Sequence, residues 1–414
     1  MTEREKKKRI FGAIASLCIA VFFRMETKAS ADQVMLHEIV PIYEMINNQQ
    51  VWIGALMKGG VYAAANGTRE VEFGNSKVTI SLDGGAVTAS SAPTETEAED
   101  TIITKKQQFI FNSIGTDREP MAILNRNVRF PVTGKTGAWY TVNVGGQEGY
   151  IHQQSVEEDN GIPVLMYHHM LENPENTVFY NNSMVIKVAE FQKQMDYLKQ
   201  KGYRTITLQE LESYLRHEKN MVGKAVVITF DDGNISTLKY AYPILKEYGM
   251  KATQFLTGGR LNQKSRPWDE NTLQYVGFDE AAVTGDVYDY QNHTFGMHLR
   301  EPVSGRPYLQ TKTYEEIKSD FLAAGERIGR IYGGDSAHVK YLAYPWGQFS
   351  PQAIQAARDT GITMAFTTET GNVKLGDDPY LLKRQGVAPR HTIEDFAAKL
   401  EGEPITVGVP DHRT

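Results

Sequence analysis

The sequence contains a single cysteine in 414 residues, and this scarcity excludes several kinds of protein. That residue, Cys18, lies in an apolar stretch near the N-terminus and lacks the surroundings of a lipoprotein box. Without that stretch the chain would have no cysteine, so a disulfide framework and a thiolate metal site are both excluded. The rest of the sequence is compatible with an oxidising environment outside the cell.

Large blocks of charge of one sign are also missing. The formal net charge is −6 at pH 7, and the main basic cluster, at residues 6–9, lies at the N-terminus. Binding to a nucleic-acid backbone requires a large basic surface, so we do not expect nucleic acid as a partner. No fixed-period repeat is evident in the sequence. With 41% hydrophobic residues, the chain can bury a full core, and it is long for one domain.

The first 31 residues have the three parts of a signal peptide. Residues 4–9 are basic, residues 10–23 are apolar, and residues 29–31 (Ala-Ser-Ala) are the small residues expected before cleavage at Asp32. The apolar part is short for a transmembrane helix. A polar stretch before the cleavage site leaves an uncleaved signal anchor as the alternative. We therefore expect a secreted protein, in the cell wall or on the outer face of the cytoplasmic membrane, with membrane contact only through such an anchor.

Short apolar runs separated by glycine indicate two small β units after this leader. The first spans residues 32–90 and the second residues 101–157, with a linker rich in Ser, Thr and Glu at 91–100. In the second unit, Trp139-Tyr and the Gly-Tyr-Ile-His sequence at 149–152 resemble a bacterial SH3 domain. The resemblance implies a module that binds cell-wall material. The alternative is a structural spacer whose aromatic residues form its core. The first unit is interpreted as a divergent copy.

Apolar, strand-like segments alternate with helical patterns from residue 160 to residue 402. This alternation predicts an α/β fold with a parallel barrel. The predicted strands are 164–167, 225–230, 252–256, 341–344 and 364–366. The predicted helices lie near 188–201, 208–217, 236–248, 314–331 and 351–360. The polar passage at 258–292 is either a wall over a substrate groove or an insertion, and residues 403–414 are predicted to form a C-terminal tail.

Two adjacent carboxylates and two downstream histidines form the most informative pattern in the chain. Asp231 and Asp232 follow the apolar run 226–230, which predicts a buried strand ending in a loop, where α/β barrels carry catalytic residues. One Asp with His293 and His298 suits a divalent ion such as Zn²⁺ and leaves an open position. The metal would lower the pKa of a bound water towards about 7, and the second Asp could take its proton. The pattern therefore predicts hydrolysis of an amide or ester.

Each half of this pattern also has an ordinary structural interpretation. Adjacent Asp residues after a strand often cap the following helix, because Asp is a favoured N-cap residue. Two histidines separated by four residues more often lie in a surface turn than in a metal site. Their occurrence together, in this order and context, favours the metal site.

At these residues the sequence resembles the polysaccharide deacetylases, carbohydrate esterase family 4, whose catalytic unit is the NodB homology domain. The Thr-Phe-Asp-Asp-Gly sequence at 229–233 and the His-Thr-x-x-x-His sequence at 293–298 match its first two motifs. Four other segments are similar to standard segments of that family: 162–169, 191–203, 251–255 and 342–347. The opening Val-Leu-Met-Tyr-His and the spacing of the two histidines look most like the poly-N-acetylglucosamine deacetylase branch.

The resemblance implies a distorted (β/α) barrel of seven or eight strands and assigns roles to the matching residues. It makes Asp231 the general base. Thr294 would help to hold the adjacent imidazole, with an ordinary turn hydroxyl as the alternative. The family's metal ligands match three residues here: Asp232, His293 and His298. Its third motif, which forms one wall of the substrate groove, matches four consecutive residues: Tyr344, Pro345, Trp346 and Gly347. A backbone N–H near Trp346 would then stabilise the developing oxyanion.

Two positions depart from the family pattern. The commonest third motif begins with an Arg that contacts the catalytic Asp, whereas this chain has Ala343. Arg384 is the candidate substitute that orients the base. The last motif, which supplies the general acid, has no clear match in residues 386–396, so His391 and His168 are candidate acids, each with a structural role as the alternative. A missing acid would cost about 10²–10⁴ in rate without abolishing attack by water.

Together these features predict a secreted, metal-dependent N-deacetylase that releases acetate from N-acetylglucosamine units of a cell-surface polymer. Zn²⁺ is the expected metal, with Co²⁺, Ni²⁺ and Mn²⁺ as alternatives. The SH3-like unit favours peptidoglycan as the substrate, whereas the catalytic branch favours poly-N-acetylglucosamine. Two other functions remain open: a catalytically weak or inactive protein that binds the wall, and an O-acetyl esterase that uses the same residues.

Overall fold

The computed structural model describes residues 32–46, 49–64, 70–80, 87–90 and 100–405. The predicted leader at 1–31, nearly all of the predicted linker and the last residues of the predicted tail lie outside these ranges. None of the helices in the described ranges combines the length and hydrophobicity that spanning a bilayer requires.

Short strands make up most of the N-terminal region. They are β1 (Asp32–Met35), β2 (Val40–Ile46), β3 (Gln49–Leu56), β4 (Val61–Ala64), β5 (Glu70–Phe73), β6 (Ser76–Thr79), β7 (Val87–Ser90), β8 (Asp100–Thr104), β9 (Gln108–Phe111), β10 (Pro120–Leu124), β11 (Arg129–Val132), β12 (Gly134–Thr136), β13 (Trp139–Val144), β14 (Gln147–His152) and β15 (Val156–Glu158). A 3-10 turn at Gln153–Ser155 precedes β15. Burial alternates along β2, so its Val40, Ile42 and Ile46 face the core, as the two-residue period of a strand requires.

Ten of these strands form one sheet, in the order β12-β13-β14-β9-β10-β3-β2-β7-β6-β5, and a β13–β5 pairing closes it on itself. Strand β10 pairs with β3 through Ala122 and Leu56, so strands from both predicted β units lie side by side. One hydrophobic core runs through both halves. The shared core differs from the predicted division into two units at 91–100. The apolar face of each unit is small, and the two faces are buried by packing against each other. The SH3-like interpretation of residues 101–157 stays a prediction.

Strands and helices alternate in the C-terminal region. The strands are β16 (Val164–Tyr167), β17 (His169–Leu171), β18 (Val185–Lys187), β19 (Tyr203–Thr205), β20 (Lys224–Phe230), β21 (Ala252–Leu256), β22 (Tyr288–Asn292), β23 (Tyr341–Ala343), β24 (Met364–Thr370) and β25 (Leu382–Gly386). The α-helices are α1 (Val188–Gln200), α2 (Leu208–Leu215), α3 (Tyr242–Glu247), α4 (Phe278–Thr284), α5 (Tyr308–Thr311), α6 (Tyr314–Gly329), α7 (Pro351–Asp359) and α8 (Ile393–Leu400). Single turns of 3-10 helix lie at Pro174–Asn176, Gly258–Arg260, Arg330–Tyr332, Ser336–His338 and Pro345–Gly347, and a π-helical turn at Thr237–Ala241 leads into α3.

Eight parallel strands form one sheet that closes into a barrel. Their order is β16-β25-β24-β23-β22-β21-β20-β19, and β16 also pairs with β20. Strand β19 pairs with the first half of β20 and β16 with the second half, so seven strands complete the ring and β19 extends it. The predicted barrel of seven or eight strands is confirmed. Because the strands are parallel, their carboxyl ends meet at one rim of the barrel.

The starts of several barrel helices follow from the local sequence. Thr207 and Thr313 precede α2 and α6, and each side chain accepts a hydrogen bond from the backbone N–H three residues on. The Glu at that third position bonds back to the backbone of the Thr, which completes a capping box. These caps satisfy N–H groups that a helix leaves without partners, and they fix where each helix begins on the barrel wall.

Buried polar contacts join the β region to the barrel just before β20. The Asn220 backbone N–H donates to Glu44 at 3.2 Å, and its side chain donates to the Phe73 carbonyl oxygen at 2.9 Å. The buried Arg129, which is paired with Asp159 at 2.8 Å, donates to the Gly223 carbonyl oxygen at 2.6 Å. Unsatisfied buried polar groups are costly, so these contacts hold the two regions in a fixed arrangement.

Candidate metal centre and active site

The residues predicted to act in catalysis lie at the carboxyl ends of the barrel strands. They are His168 after β16, Asp231 and Asp232 after β20, His293 after β22, Trp346 after β23, and Arg384 within β25. The rim therefore brings together side chains that are more than 200 residues apart in the sequence.

Asp232, His293 and His298 form a cluster that could hold a metal ion, with ligand atoms within 4.8 Å of one another. Asp232 Oδ1 lies 3.5 Å from His293 Nε2 and 3.2 Å from His298 Nδ1. His293 Nδ1 lies 2.7 Å from the Ala343 carbonyl oxygen, which can only accept. The proton of that imidazole is therefore on Nδ1, and the lone pair of Nε2 faces Asp232, as in a metal-binding histidine.

The electrostatics of this cluster fit a divalent cation. Burial would raise the pKa of Asp232, but the contact with His293 and the neighbouring histidines hold it well below its usual range. Burial lowers the pKa of His298 to about 3, against the opposing effect of Asp232. Metal binding requires an ionised carboxylate and neutral imidazoles, and these shifts favour the ionised form of Asp232 and the neutral form of His298. Asp232 Oδ1 is also buried without a hydrogen-bond donor among the described residues. The residues present therefore fit the metal that the sequence predicts.

Three residues of the site have backbone angles that L-amino acids rarely adopt. The φ angles of Asp232, Thr294 and Trp346 are 71°, 69° and 54°. Non-glycine residues in this left-handed region are uncommon, and each costs about 1–3 kcal/mol. Such strain persists where the surrounding structure imposes it, and it is concentrated at functional sites.

The loop between the two histidines is held by residues that the sequence analysis did not select. Asp320, on α6, accepts hydrogen bonds from the Phe295 and Gly296 N–H groups at 2.8 and 2.7 Å. Asn292 Oδ1 accepts from the Thr294 N–H at 2.7 Å. No signal in the sequence identifies Asp320, because it lies 24 residues from the loop that it contacts. The predicted Thr294 is fully buried at the centre of this loop.

Asp231 and Arg384 form a fully buried ion pair. Two guanidinium nitrogens of Arg384 donate to Asp231 Oδ1 and Oδ2, each at 2.7 Å. Arg384 Nε donates to the Thr367 carbonyl oxygen at 2.9 Å, which fixes the plane of the guanidinium group. Burial would raise the pKa of Asp231, but the Arg384 charge and hydrogen bonds lower it below the usual range. The structure thus places Arg384 where the sequence predicts an orienting residue for the base.

The two candidate acids lie in different surroundings. His168 lines the catalytic cavity, and its Nε2 is 4.0 Å from Asp231 Oδ2. Burial lowers the pKa of His168, and the Asp231 charge opposes this effect. His391 is buried after β25, and its Nδ1 accepts a hydrogen bond from the Ala388 N–H at 3.0 Å. His391 is not among the described residues that line the catalytic cavity. Of the two candidate acids, His168 therefore lies in the catalytic cavity and His391 lies outside its described lining.

Only part of the third motif reaches the cavity. Trp346 lines it and lies against His298, with ring centroids 4.4 Å apart. Tyr344 is fully buried and packs on Phe349 in a core cluster, and Pro345 and Gly347 are buried as well. The prediction that all four residues face the substrate is therefore wrong for the Tyr344 side chain, because it fills the space between the barrel and its helices.

A cavity of about 160 Å³ contains the base and the metal cluster together. Its walls are Met166, His168, Ser183, Met184, Asp231, Asp232, His293, His298, Trp346 and Thr368. A cavity of this size admits a small group such as acetamide, with the rest of a larger substrate outside. Its residues can hold a cation, accept a proton and donate one, which is what amide hydrolysis requires.

Comparison with known proteins agrees with this chemistry. The polysaccharide deacetylase family profile matches residues 218–365, which include the Asp pair, both histidines and the third motif. YxkH of Bacillus subtilis (strain 168), a proposed polysaccharide deacetylase, is 29% identical over 245 residues, which are 59% of this chain and 78% of YxkH. The poly-β-1,6-N-acetyl-D-glucosamine N-deacetylase of Staphylococcus epidermidis (strain RP62A) is 27% identical over 195 residues, 47% of this chain and 65% of that protein.

A solved structure shares the fold. The structure of IcaB from Ammonifex degensii superposes with a TM-score of 0.50 at 27% identity, and the match covers 58% of this chain and 97% of IcaB. The barrel, its rim and the site define a hydrolase that acts on carbon–nitrogen bonds. The C-terminal region of the chain is a polysaccharide deacetylase domain.

Proposed function

We propose that the protein is a secreted, metal-dependent N-deacetylase that acts on poly-β-1,6-N-acetylglucosamine. The observation that carries the proposal is one small cavity in which Asp231, held by Arg384, faces the Asp232, His293 and His298 cluster. The Staphylococcus epidermidis relative is named for this polymer and this reaction. The reaction joins water to the acetamide, so that acetate leaves and a free amine remains on the sugar.

Asp232, His293 and His298 would hold the metal, and Zn²⁺ suits one carboxylate with two imidazoles and an open position. When bound, the cation would supply Lewis-acid polarisation of the acetyl carbonyl and acidify water at neutral pH. The Ala343 carbonyl oxygen keeps the His293 imidazole in the tautomer that coordinates through Nε2. The Trp346 ring against His298 limits how far the second imidazole can turn.

Asp231 would accept the proton of the attacking water. Its pKa is below the usual range, so the carboxylate is ionised at neutral pH. Arg384 occupies one lone pair on each oxygen, and each oxygen keeps another to accept the proton. The fixed guanidinium also prevents Asp231 from rotating towards the cation site, which separates the base from the ligand Asp232.

His168 is the residue that we propose for delivery of a proton to the departing nitrogen. It lines the same cavity and lies 4.0 Å from the base. As the C–N bond breaks, the nitrogen must gain a proton to leave as an amine. His168 would take up the proton that Asp231 accepts from water and, as an imidazolium, would deliver it to the departing nitrogen. This assignment replaces His391.

Secretion is proposed from the sequence of residues 1–31, and cell-surface location follows from the polymer. The acetate released by the purified protein from poly-β-1,6-N-acetylglucosamine and from peptidoglycan would rank the two substrates, and the Asp231→Asn variant is the control. Free amines formed with the acetate indicate N-deacetylation. Acetate without new amines would indicate ester cleavage and would contradict the proposal, as would release that Asp231→Asn retains in full.

A further inference from the structure

Arg260 contacts the metal cluster from outside the catalytic cavity. One of its guanidinium nitrogens, Nη1, lies 3.3 Å from His298 Nδ1. Arg260 is not among the described residues that line the catalytic cavity, and it lines a separate crevice with Asp232 and Tyr275. Its guanidinium group therefore meets the site through the ligand His298, and not through the space that a substrate would enter.

The turn that carries Arg260 is joined to the loop that carries the two histidines. The Gly259 N–H donates to the Phe295 carbonyl oxygen at 2.8 Å. A side chain at Gly259 would have its Cβ 2.7 Å from that oxygen, so this close approach requires glycine. The Arg260 guanidinium carbon also lies 5.0 Å from the centre of the Tyr275 ring, which is a cation–π contact. The backbone and the ring together hold the guanidinium group beside His298.

The bond between Arg260 and His298 uses the one lone pair that a neutral imidazole has. A guanidinium group can only donate, so His298 Nδ1 accepts and the imidazole proton is on Nε2. Coordination of a metal ion through Nδ1 needs the same lone pair. Coordination through Nε2 would move the proton to Nδ1, where it would face a guanidinium group that cannot accept it. Metal coordination through either nitrogen therefore excludes the hydrogen bond to Arg260.

The surroundings of His298 make the positive charge of Arg260 useful there. Asp232 Oδ1 lies 3.2 Å from His298 Nδ1 and has no hydrogen-bond donor among the described residues. With Nδ1 unprotonated, two acceptor atoms face each other, and the nearby guanidinium charge offsets their repulsion. The Trp346 ring, 4.4 Å from the imidazole between centroids, limits rotation of His298 away from this arrangement. A divalent cation would offset the same repulsion, and it would also repel the guanidinium group.

We propose that Arg260 competes with the metal ion for His298 and so sets the metal affinity of the site. The proposal rests on the metal centre of the proposed function, and it adds that the guanidinium group leaves His298 Nδ1 when the ion binds. The competing hydrogen bond has one charged partner, and the need to break it weakens metal binding about tenfold. The three ligands thus hold the ion less tightly than they would without Arg260, and activity follows the supply of metal.

The test measures the Zn²⁺ affinity of the chelated protein by titration against a chromophoric chelator. We expect Arg260→Leu to bind Zn²⁺ about tenfold more tightly than the wild type, because leucine cannot donate to His298 Nδ1. Arg358→Leu is the matched control. It removes the same charge from over a tyrosine ring, Tyr380 at 4.1 Å, and Arg358 does not line the catalytic cavity or the crevice of Arg260. The control should have the affinity of the wild type.

An equal or lower affinity of Arg260→Leu for Zn²⁺ would overturn the competition. A second measurement needs no substitution. A crystal structure of the Zn²⁺-loaded wild type should show the Arg260 guanidinium group beyond hydrogen-bonding distance of His298 Nδ1, and a contact retained beside the bound ion would also overturn the proposal. Failure of the wild type to bind Zn²⁺ would overturn both the metal centre and the competition, whereas the absence of acetate release despite bound Zn²⁺ would overturn the proposed function alone.

Discussion

Replacing Arg384 with methionine would leave Asp231 buried without its counter-charge. The wild-type pair is made by two 2.7 Å bonds between side chains that are 0% and 4% exposed. Removing one partner of a buried ion pair costs about 3–5 kcal/mol, because the other charge stays in a poorly solvated place. We therefore expect Arg384→Met to lower the free energy of unfolding by about this amount at pH 7.

The loss of stability in Arg384→Met should depend on pH in a defined direction. In the wild type, the lowered pKa of Asp231 contributes to the free energy of unfolding. This contribution is present above the unfolded-state pKa of about 3.9 and is lost as pH falls through the folded-state pKa of Asp231. In the variant, Arg384 no longer offsets burial, so the pKa of Asp231 rises and protonation relieves the unpaired charge. The difference between the two proteins should therefore be largest near neutral pH and should shrink towards pH 4 and below.

Activity should respond to the same substitution. Because the base would be protonated at higher pH, the acid limb of the kcat/KM profile should move to higher pH in Arg384→Met. Urea unfolding of the chelated protein at several pH values and a pH–rate profile of the metal-loaded protein would measure both effects. Arg129→Met is a matched control, since it breaks a buried 2.8 Å ion pair with Asp159 outside the catalytic cavity. An unshifted acid limb in Arg384→Met would refute the reasoning.

Three further predictions follow from other contacts. Asp320→Ala should weaken Zn²⁺ binding, measured by calorimetry, about 10- to 100-fold, because it releases the loop between the histidines. The control Asp359→Ala changes an exposed residue and should leave Zn²⁺ affinity unchanged, and equal affinities of the two variants would contradict the positioning role. His168→Ala should lower kcat by about 10²–10⁴, with a much smaller effect for His391→Ala; the reverse order would restore His391 as the acid. Burial raises the pKa of Glu44, so the stability that Glu44 contributes is full below its unfolded-state pKa and is lost as pH rises through its folded-state pKa. In thermal melts, Glu44→Gln should lack this loss of stability between pH 4 and neutral pH. A loss equal to that of the wild type would contradict the assignment.

Part of the catalytic rim could be predicted, because His168, Asp231 and Trp346 follow strands that the sequence predicts. The run before Asp231 is apolar except for Thr229, and every residue from Ala225 to Phe230 is buried in β20. In a parallel barrel the end of such a strand has one position, at the rim. It could also be predicted that Arg384 takes the place of the Arg that the family has at position 343, because the buried carboxylate of Asp231 needs a partner.

Other features depend on tertiary contacts that a local pattern does not contain. Strands β22 (Tyr-Asp-Tyr-Gln-Asn) and β25 (Leu-Lys-Arg-Gln-Gly) were not predicted, because they carry polar residues into the barrel. Gln291 in β22 accepts hydrogen bonds from two backbone N–H groups near β23, so its burial is satisfied only in the assembled sheet. The burial of Tyr344 and the single core of the β region have the same origin. Packing between distant segments decides them.

The central claim is that Asp231 and the metal cluster together hydrolyse the acetamide of N-acetylglucosamine units. The most direct measurement is the amount of free amine formed per acetate released from poly-β-1,6-N-acetylglucosamine, by chelated protein before and after Zn²⁺ is restored. We predict equal amounts of amine and acetate after Zn²⁺ is restored, little of either before, and little of either from Asp231→Asn with Zn²⁺. Deacetylation that is unaffected by chelation, or that persists in Asp231→Asn, would contradict the account.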